Sequence, residues 1–179
     1  FYAESGGQIA DIGVMVIEDS NTEVHVLDVQ KAAGGRIISH RVRVESGEIV
    51  AKTSVLETKV DKDSRRRAKA NHTATHLLQS ALKQVMGDDV SQAGSLVSFD
   101  RLRFDFNSSR GPKPNELEEI EALVNEWIFD STNLEVAEMP IADVKAKGAT
   151  MMFGEKYGDV VRVVDVPNVS MELCGGTHV

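Results

Sequence analysis

One cysteine, four prolines and an aromatic content of only 5% mark what this chain has little of. A single thiol rules out an internal disulfide framework and fits a reducing compartment, the cytoplasm first, with a mitochondrion or plastid also compatible. No run of eighteen apolar residues occurs, which excludes a membrane-spanning helix. No internal repeat or low-complexity stretch is present. The net charge of −8 argues against a protein that coats DNA or RNA indiscriminately. What is present is 41% apolar residues in 179, enough for a proper core in one large domain or two small ones. The first residue is Phe1 and the last, Val179, follows directly on a candidate ligand, so the chain reads as a piece of a longer polypeptide.

Charge is unevenly spread. From Lys59 to Lys69 there are six basic and two acidic residues, whereas from Lys113 to Glu138 there are one basic and eight acidic. Either run alone reads as a solvated helix face. The basic run gains interest because it leads into His72-Thr73-Ala74-Thr75-His76, and the lone cysteine stands in Cys174-Gly175-Gly176-Thr177-His178. A pair of histidines four apart is common by chance. Pairing the only cysteine with a histidine four residues on, in the same chain, is not. One thiol and three imidazoles make the donor set of a tetrahedral zinc site, with His72, His76, Cys174 and His178 as candidate ligands. The spacings match no common zinc-finger signature.

Hydrophobic periodicity predicts an α+β fold. β-branched segments at Ile12–Ile17, Val24–Gln30, Arg36–Val44 and Ile49–Val55 are separated by Gly6-Gly7, Asp19-Ser20-Asn21, Gly34-Gly35 and Ser46-Gly47. They predict a small N-terminal β-barrel-like unit or curled sheet over residues 1–58, in which Glu4-Ser5-Gly6-Gly7-Gln8 is the one stretch with visible chemistry, although a Gly-Gly loop is most often just a turn. A long helix is expected from Asp63 to Met86, closed by Gly87. Its apolar stripe is Ala74, Leu77, Leu78, Ala81, Leu82 and Val85, and at about 100° per residue His72 and His76 fall on the other side, one turn apart. Arg65, Lys69, Gln79 and Lys83 share the histidine side, so a polyanion lying along it would meet cations. A hairpin over Gly94–Phe99 and Leu102–Asn107 follows. Then come a helix over Glu116–Phe129 with Asn115 as N-cap, a strand at Leu134–Met139, a short helix at Ile141–Lys147, and strands at Val160–Val166 and Val169–Leu173. The long helix, packed on antiparallel sheet, anchors a second unit over residues 59–179.

Zinc held by three neutral imidazoles and a thiolate carries a net charge of about +1 and could polarise a carbonyl or activate water. Four protein ligands, however, close a tetrahedral site, the mark of a structural zinc. There is no His-Glu-x-x-His, no Gly-x-x-x-x-Gly-Lys-Ser/Thr loop and no Gly-x-Ser-x-Gly elbow. No Asp or Glu stands out beside the ligands as a general base.

Four stretches carry a resemblance: FYAESGGQIADIG (1–13), RRRAKANHTATHLLQSALKQVMG (65–87), VSQAGSLVSFDRLRFDF (90–106) and CGGTHV (174–179). In these the chain closely resembles the editing domain of alanyl-tRNA synthetase, shared with free-standing alanyl-tRNA trans-editing proteins and, more distantly, with threonyl-tRNA synthetase. The Gly-rich opening and VSFDRLRFDF favour the synthetase over a stand-alone editor. The resemblance implies hydrolysis of the ester bond of mischarged Ser-tRNA(Ala) and Gly-tRNA(Ala). It implies Zn2+ on His72, His76, Cys174 and His178, and a pocket in which Thr75 and Gln92 help decide which aminoacyl group enters. Its implied partners are the acceptor end of tRNA(Ala) and the remaining domains of the synthetase. Arg65 and Lys69 are the candidate contacts to acceptor phosphates. Two readings from other classes stand beside it: an acceptor-end binding module with purely structural zinc, and a scaffold segment in which metal is adventitious.

Overall fold

The computed structural model describes all residues except 19–21, 49–55 and 152–157. The expected turn at Asp19-Ser20-Asn21 and the expected strand at Ile49–Val55 lie outside the described residues. The architecture is mixed α+β with antiparallel sheets. The N-terminal part is a four-stranded sheet in the order β3-β2-β1-β4, from β1 (Gly13–Ile17), β2 (Thr22–Ala32), β3 (Ile37–Ser46) and β4 (Leu56–Val60). A single 3-10 turn at Ala33–Gly35 joins β2 to β3.

The expected barrel does not close. Among the described residues β3 and β4 are the two edges of an open sheet and do not pair with each other. Ala3, Ala10, Met15, Val24, Val26 and Val29 form the core against this sheet, with Phe1 and Val42 packed on it. Register shifts between Glu23 and Val24, and between Val26 and Asp28, interrupt the alternation of β2, so that Val26 and Val29, three residues apart, both face the core.

Helix α1 (Lys62–Met86) starts one residue before the expected position because Asp61 caps it, its carboxylate accepting from Ser64 N at 2.7 Å. Gly87 closes the other end, its N–H donating to the Lys83 carbonyl. The apolar stripe of α1 packs on helix α2 (Pro114–Asp130) and on the hairpin of β5 (Ser91–Val97) and β6 (Leu102–Asn107). Ala81, Leu82, Val90 and Ile120 are buried there, and Trp127 packs against them.

Asn115 is not the cap of α2. Pro114 takes the first helical turn, where its missing N–H costs nothing, and Lys113 becomes the N-cap. The Glu116 carboxylate accepts from Lys113 N at 2.7 Å and from Arg110 through two bonds of 2.6 Å.

Strands β7 (Glu135–Pro140), β8 (Val160–Val166) and β9 (Ser170–Leu173) form a three-stranded antiparallel sheet, with α3 (Ile141–Ala146) between β7 and β8 in sequence. Val144, Val161, Val163 and Leu173 make its core. Strand β9 lies against α1 and delivers the chain directly into the Cys174–His178 turn. No helix among the described residues is long and apolar enough to cross a membrane.

Candidate metal centre

Two consecutive turns of α1 present His72 and His76, and the turn after β9 presents Cys174 and His178. Their donor atoms all lie within 4.8 Å of one another, so the four residues form a group able to hold a metal ion. The three imidazoles are buried, with 4%, 5% and 9% exposure for His72, His76 and His178. Cys174 Sγ sits 3.4 Å from His72 Nε2 and 3.2 Å from His178 Nε2. A tetrahedral ion with Zn–N and Zn–S bonds of ordinary length needs donor separations of about 3.5 Å, so these two edges are already of the right size. His76 Nδ1 is buried with no partner among the described residues. A buried nitrogen left without a bond is costly in a metal-free protein and is accounted for if a cation takes it.

Close approach of the two segments depends on Gly176. A Cβ there would collide with the His72 ring at Cε1 and Nδ1. Arg162 of β8 fixes the same turn, donating from Nη1 to the carbonyls of Cys174 at 2.6 Å and Gly176 at 3.0 Å. Burial, reinforced by the Arg162 charge, lowers the His72 pKa to about 4. Burial and then the neighbouring His72 and Arg162 charges lower His76 to about 3. His178 falls to about 2, again chiefly through burial, followed by His76, His72, Arg162 and Lys69. All three rings are therefore neutral at pH 7, the state a metal ligand requires.

Sequence reading passed over two residues that the fold brings here. Glu172 Oε2 lies 3.6 Å from His76 Nε2. Because His76 is neutral, this is a polar contact and not an ion pair. Burial raises the Glu172 pKa to about 7, against the opposing Ser170 hydroxyl bond and the Lys83 charge. Strand alternation was the available signal, since residues two apart share a face. The second is Gln8, fully buried, whose Oε1 stands 2.8 Å from His72 Nδ1 and 2.9 Å from Thr177 N. The Glu4-Ser5-Gly6-Gly7-Gln8 stretch that carries it is the one place in the N-terminal unit where the sequence hints at chemistry, but nothing in it points to His72 or Thr177.

The remaining candidates fall in different places. Gln92 lines a polar cavity of about 460 Å³ together with Gln79, Lys83, Thr150 and Glu172. Thr75 is buried on α1, its hydroxyl donating to the Asn71 carbonyl at 2.8 Å, and it is not among the residues lining that cavity. Lys69 is half-buried one turn before His72, close enough for its charge to bear on His178. Arg65 reaches back to the N-terminal sheet region, its Nε donating to Asp11 Oδ1 at 2.8 Å and its Nη2 to Asp11 Oδ2. Asp11 is 2% exposed and the guanidinium side chain 31%.

Residues 1–64 match the family described as tRNA synthetases class II (A). The whole chain is 66% identical over 179 residues to the chloroplastic/mitochondrial alanine–tRNA ligase of Ostreococcus lucimarinus, 20% of that protein's length. The similarity to that ligase extends over the whole of this chain. The Arabidopsis thaliana chloroplastic/mitochondrial alanine–tRNA ligase is 60% identical over 184 residues, all of this chain and 18% of that protein. The alanine–tRNA ligase of Synechocystis sp. is 58% identical over 179 residues, again all of this chain and 20% of the relative. The chain thus spans about a fifth of the length of the curated relatives it matches.

Proposed function

We propose that this chain is the editing part of an alanyl-tRNA synthetase, hydrolysing the ester bond of Ser-tRNA(Ala) and Gly-tRNA(Ala). The observation that carries the reading is the convergence of His72, His76, Cys174 and His178 on one point beside the cavity that Gln92 lines. The relatives' name supports the synthetase as parent, with cytoplasm or organelle as the compartment, and the synthetase's other domains as partners. Zn2+ is the ion the donor set suits best, three borderline nitrogens and one soft sulfur. When bound, it supplies positive charge that orients the aminoacyl end or an attacking water.

The chain's own residues supply the selectivity. Serine is alanine plus a hydroxyl, and an apolar pocket rejects an added hydroxyl by only about a hundredfold. Gln92, on the cavity wall, offers that hydroxyl a polar partner that alanine cannot use, which penalises the correct product; Thr75, its proton held by the Asn71 carbonyl, has only its oxygen lone pairs left to offer and reaches the substrate only if its side chain turns. Lys69 faces the phosphates of the acceptor end. Arg65 is the second candidate phosphate contact, its guanidinium partly exposed but its charge offset by the Asp11 carboxylate it pairs with. We divide the chain, as part of the same proposal, into a unit over 1–58 and an editing unit over 59–179, a boundary that falls within β4.

The test is release of serine from Ser-tRNA(Ala) against release of alanine from Ala-tRNA(Ala), with zinc content measured on the same samples. Faster serine release, lost with the metal in Cys174→Ala, is expected. Full activity of Cys174→Ala without bound zinc rejects the metal's part in the reaction. A second reading draws on the closed set of four protein donors: a structural ion in an acceptor-end binding module. It predicts that chelation unfolds the chain, whereas the editing reading predicts a folded, inactive protein.

A further inference from the structure

A glutamine that is fully buried outside any apolar cluster calls for an account of each polar atom. Gln8 has one. A backbone N–H can only donate, so the side-chain atom 2.9 Å from Thr177 N is an acceptor, the amide oxygen Oε1. The same oxygen lies 2.8 Å from His72 Nδ1, which must then carry the ring proton. The lone pair of His72 is left on Nε2, and Nε2 is the atom that stands 3.4 Å from Cys174 Sγ. The Gln8 amide nitrogen, for its part, donates to Thr177 Oγ1 at 2.9 Å. One side chain thus holds a ring of α1 and the backbone of the Cys174–His178 turn at once.

Its own carrier is rigid. Ser5 and Gln8 exchange backbone bonds of 3.2 and 3.0 Å across the turn. Gly6 and Gly7 take φ of 58° and 79° within it, a region that side chains disfavour, and a Cβ on Gly7 would collide with Ser95. Val97 N donates to the Gly7 carbonyl at 2.8 Å, and Ile9 N to the Val97 carbonyl at 3.0 Å. Both bonds tie the turn to Val97 of β5, on either side of Gln8.

We infer that Gln8 is a positioning residue of the metal centre: it fixes the tautomer of His72 and joins the two ligand pairs through a single amide. The inference rests on the metal reading above. Outer hydrogen bonds of this kind to a ligand histidine are worth about 10–100-fold in metal affinity.

The experiment compares the wild-type chain, Gln8→Leu and Gln8→Glu for Zn2+ affinity by chelator competition and for the visible absorption of the Co2+-loaded proteins. Glutamate keeps an acceptor for His72 and Thr177, whereas leucine keeps only volume. Expected are a loss of about 10–100-fold and altered cobalt bands for Gln8→Leu, with Gln8→Glu close to wild type. A packing role alone would give the reverse order, since a buried carboxylate is costlier than a leucine. Wild-type affinity and spectrum in Gln8→Leu, or weaker binding in Gln8→Glu than in Gln8→Leu, overturns the inference and leaves the metal reading standing. A wild-type chain that binds neither ion overturns both. Should Gln8→Leu not fold, nitrogen-15 NMR of the wild-type His72 ring decides. A proton on Nδ1 supports the inference, and a proton on Nε2 sinks it.

Discussion

The two long faces of α1 are buried to the same degree by different means. On one, Ala81 and Leu82 meet Ile120 and Val90, and the contact is volume against volume. On the other, His72 and His76 meet the Cys174–His178 turn and Glu172, and most polar atoms have a named partner. His76 Nδ1, which has none, sits in the metal group itself. An apolar face tolerates exchange of one hydrophobe for another of similar size. A polar buried face does not, because each unmatched donor or acceptor costs on the order of 1–3 kcal/mol. Equal burial therefore hides unequal sensitivity.

The largest effect is expected where that difference is sharpest. Gly176→Ala adds one methyl, a change the apolar face would absorb, but its Cβ would overlap the His72 ring. The turn must back away from α1, and the donor atoms can no longer close on one ion. Zinc affinity should fall by at least about 100-fold, as for loss of ligand geometry, and serine release from Ser-tRNA(Ala) should fall with it. Equilibrium dialysis of Gly176→Ala at wild-type affinity would show that the turn adapts, and the contrast between the faces would lose its force.

Proton uptake gives the next test, on metal-free protein. His72 and His76 have folded pKa values of about 4 and 3, below the free value of 6.5, so the unfolded chain binds more protons than the folded one. The contribution of these rings is complete above pH 6.5 and drains away as pH falls from there through 4, at up to about 1.4 kcal/mol per pH unit for each ring, offset in part by Glu172, whose pKa raised to about 7 adds stability as pH falls over the same range. Thermal melts of the stripped chain should show this acid slope. Saturating zinc should steepen it, because protons must then also displace the ion. A melt unchanged between pH 7 and pH 5 would mean that the rings are hydrated and not buried.

The contrast also separates what was legible in the sequence from what was not. The apolar stripe of α1 announces itself by its spacing, and α1, β6 and β8 fall where periodicity sets them. The Cys/His group was legible because such donors are rare and paired. Gln8 was not, because glutamine is ordinarily a surface residue and its partners His72 and Thr177 lie 64 and 169 positions away. Arg65 was legible as a cation but not as a partner of Asp11, since charge runs carry no record of long-range pairing. The choice between a barrel-like unit and a curled sheet stayed open for a related reason: strand propensity gives the strands, whereas closure depends on which edges meet.

The smallest effect on the site should come from the apolar face. Leu82 is 4% exposed and packs with Ala81, Val90 and Ile120, so Leu82→Ala removes buried methyl groups and leaves a cavity. The cost is about 2–5 kcal/mol of unfolding free energy, read as a lower midpoint in urea with an unchanged slope. Zinc affinity of the molecules that remain folded should stay within about threefold of wild type, since sites without shared partners act nearly independently. Leu82 lies more than a helical turn beyond His76 and packs with Ala81, Val90 and Ile120, none of which belongs to the Cys/His group, so relaxation around the cavity moves α2 and the β5–β6 hairpin sooner than the Cys174–His178 turn. If instead Leu82→Ala loosens zinc as strongly as Gly176→Ala, the helix transmits packing changes from one face to the other. The two faces would then have to be treated as one cooperative unit.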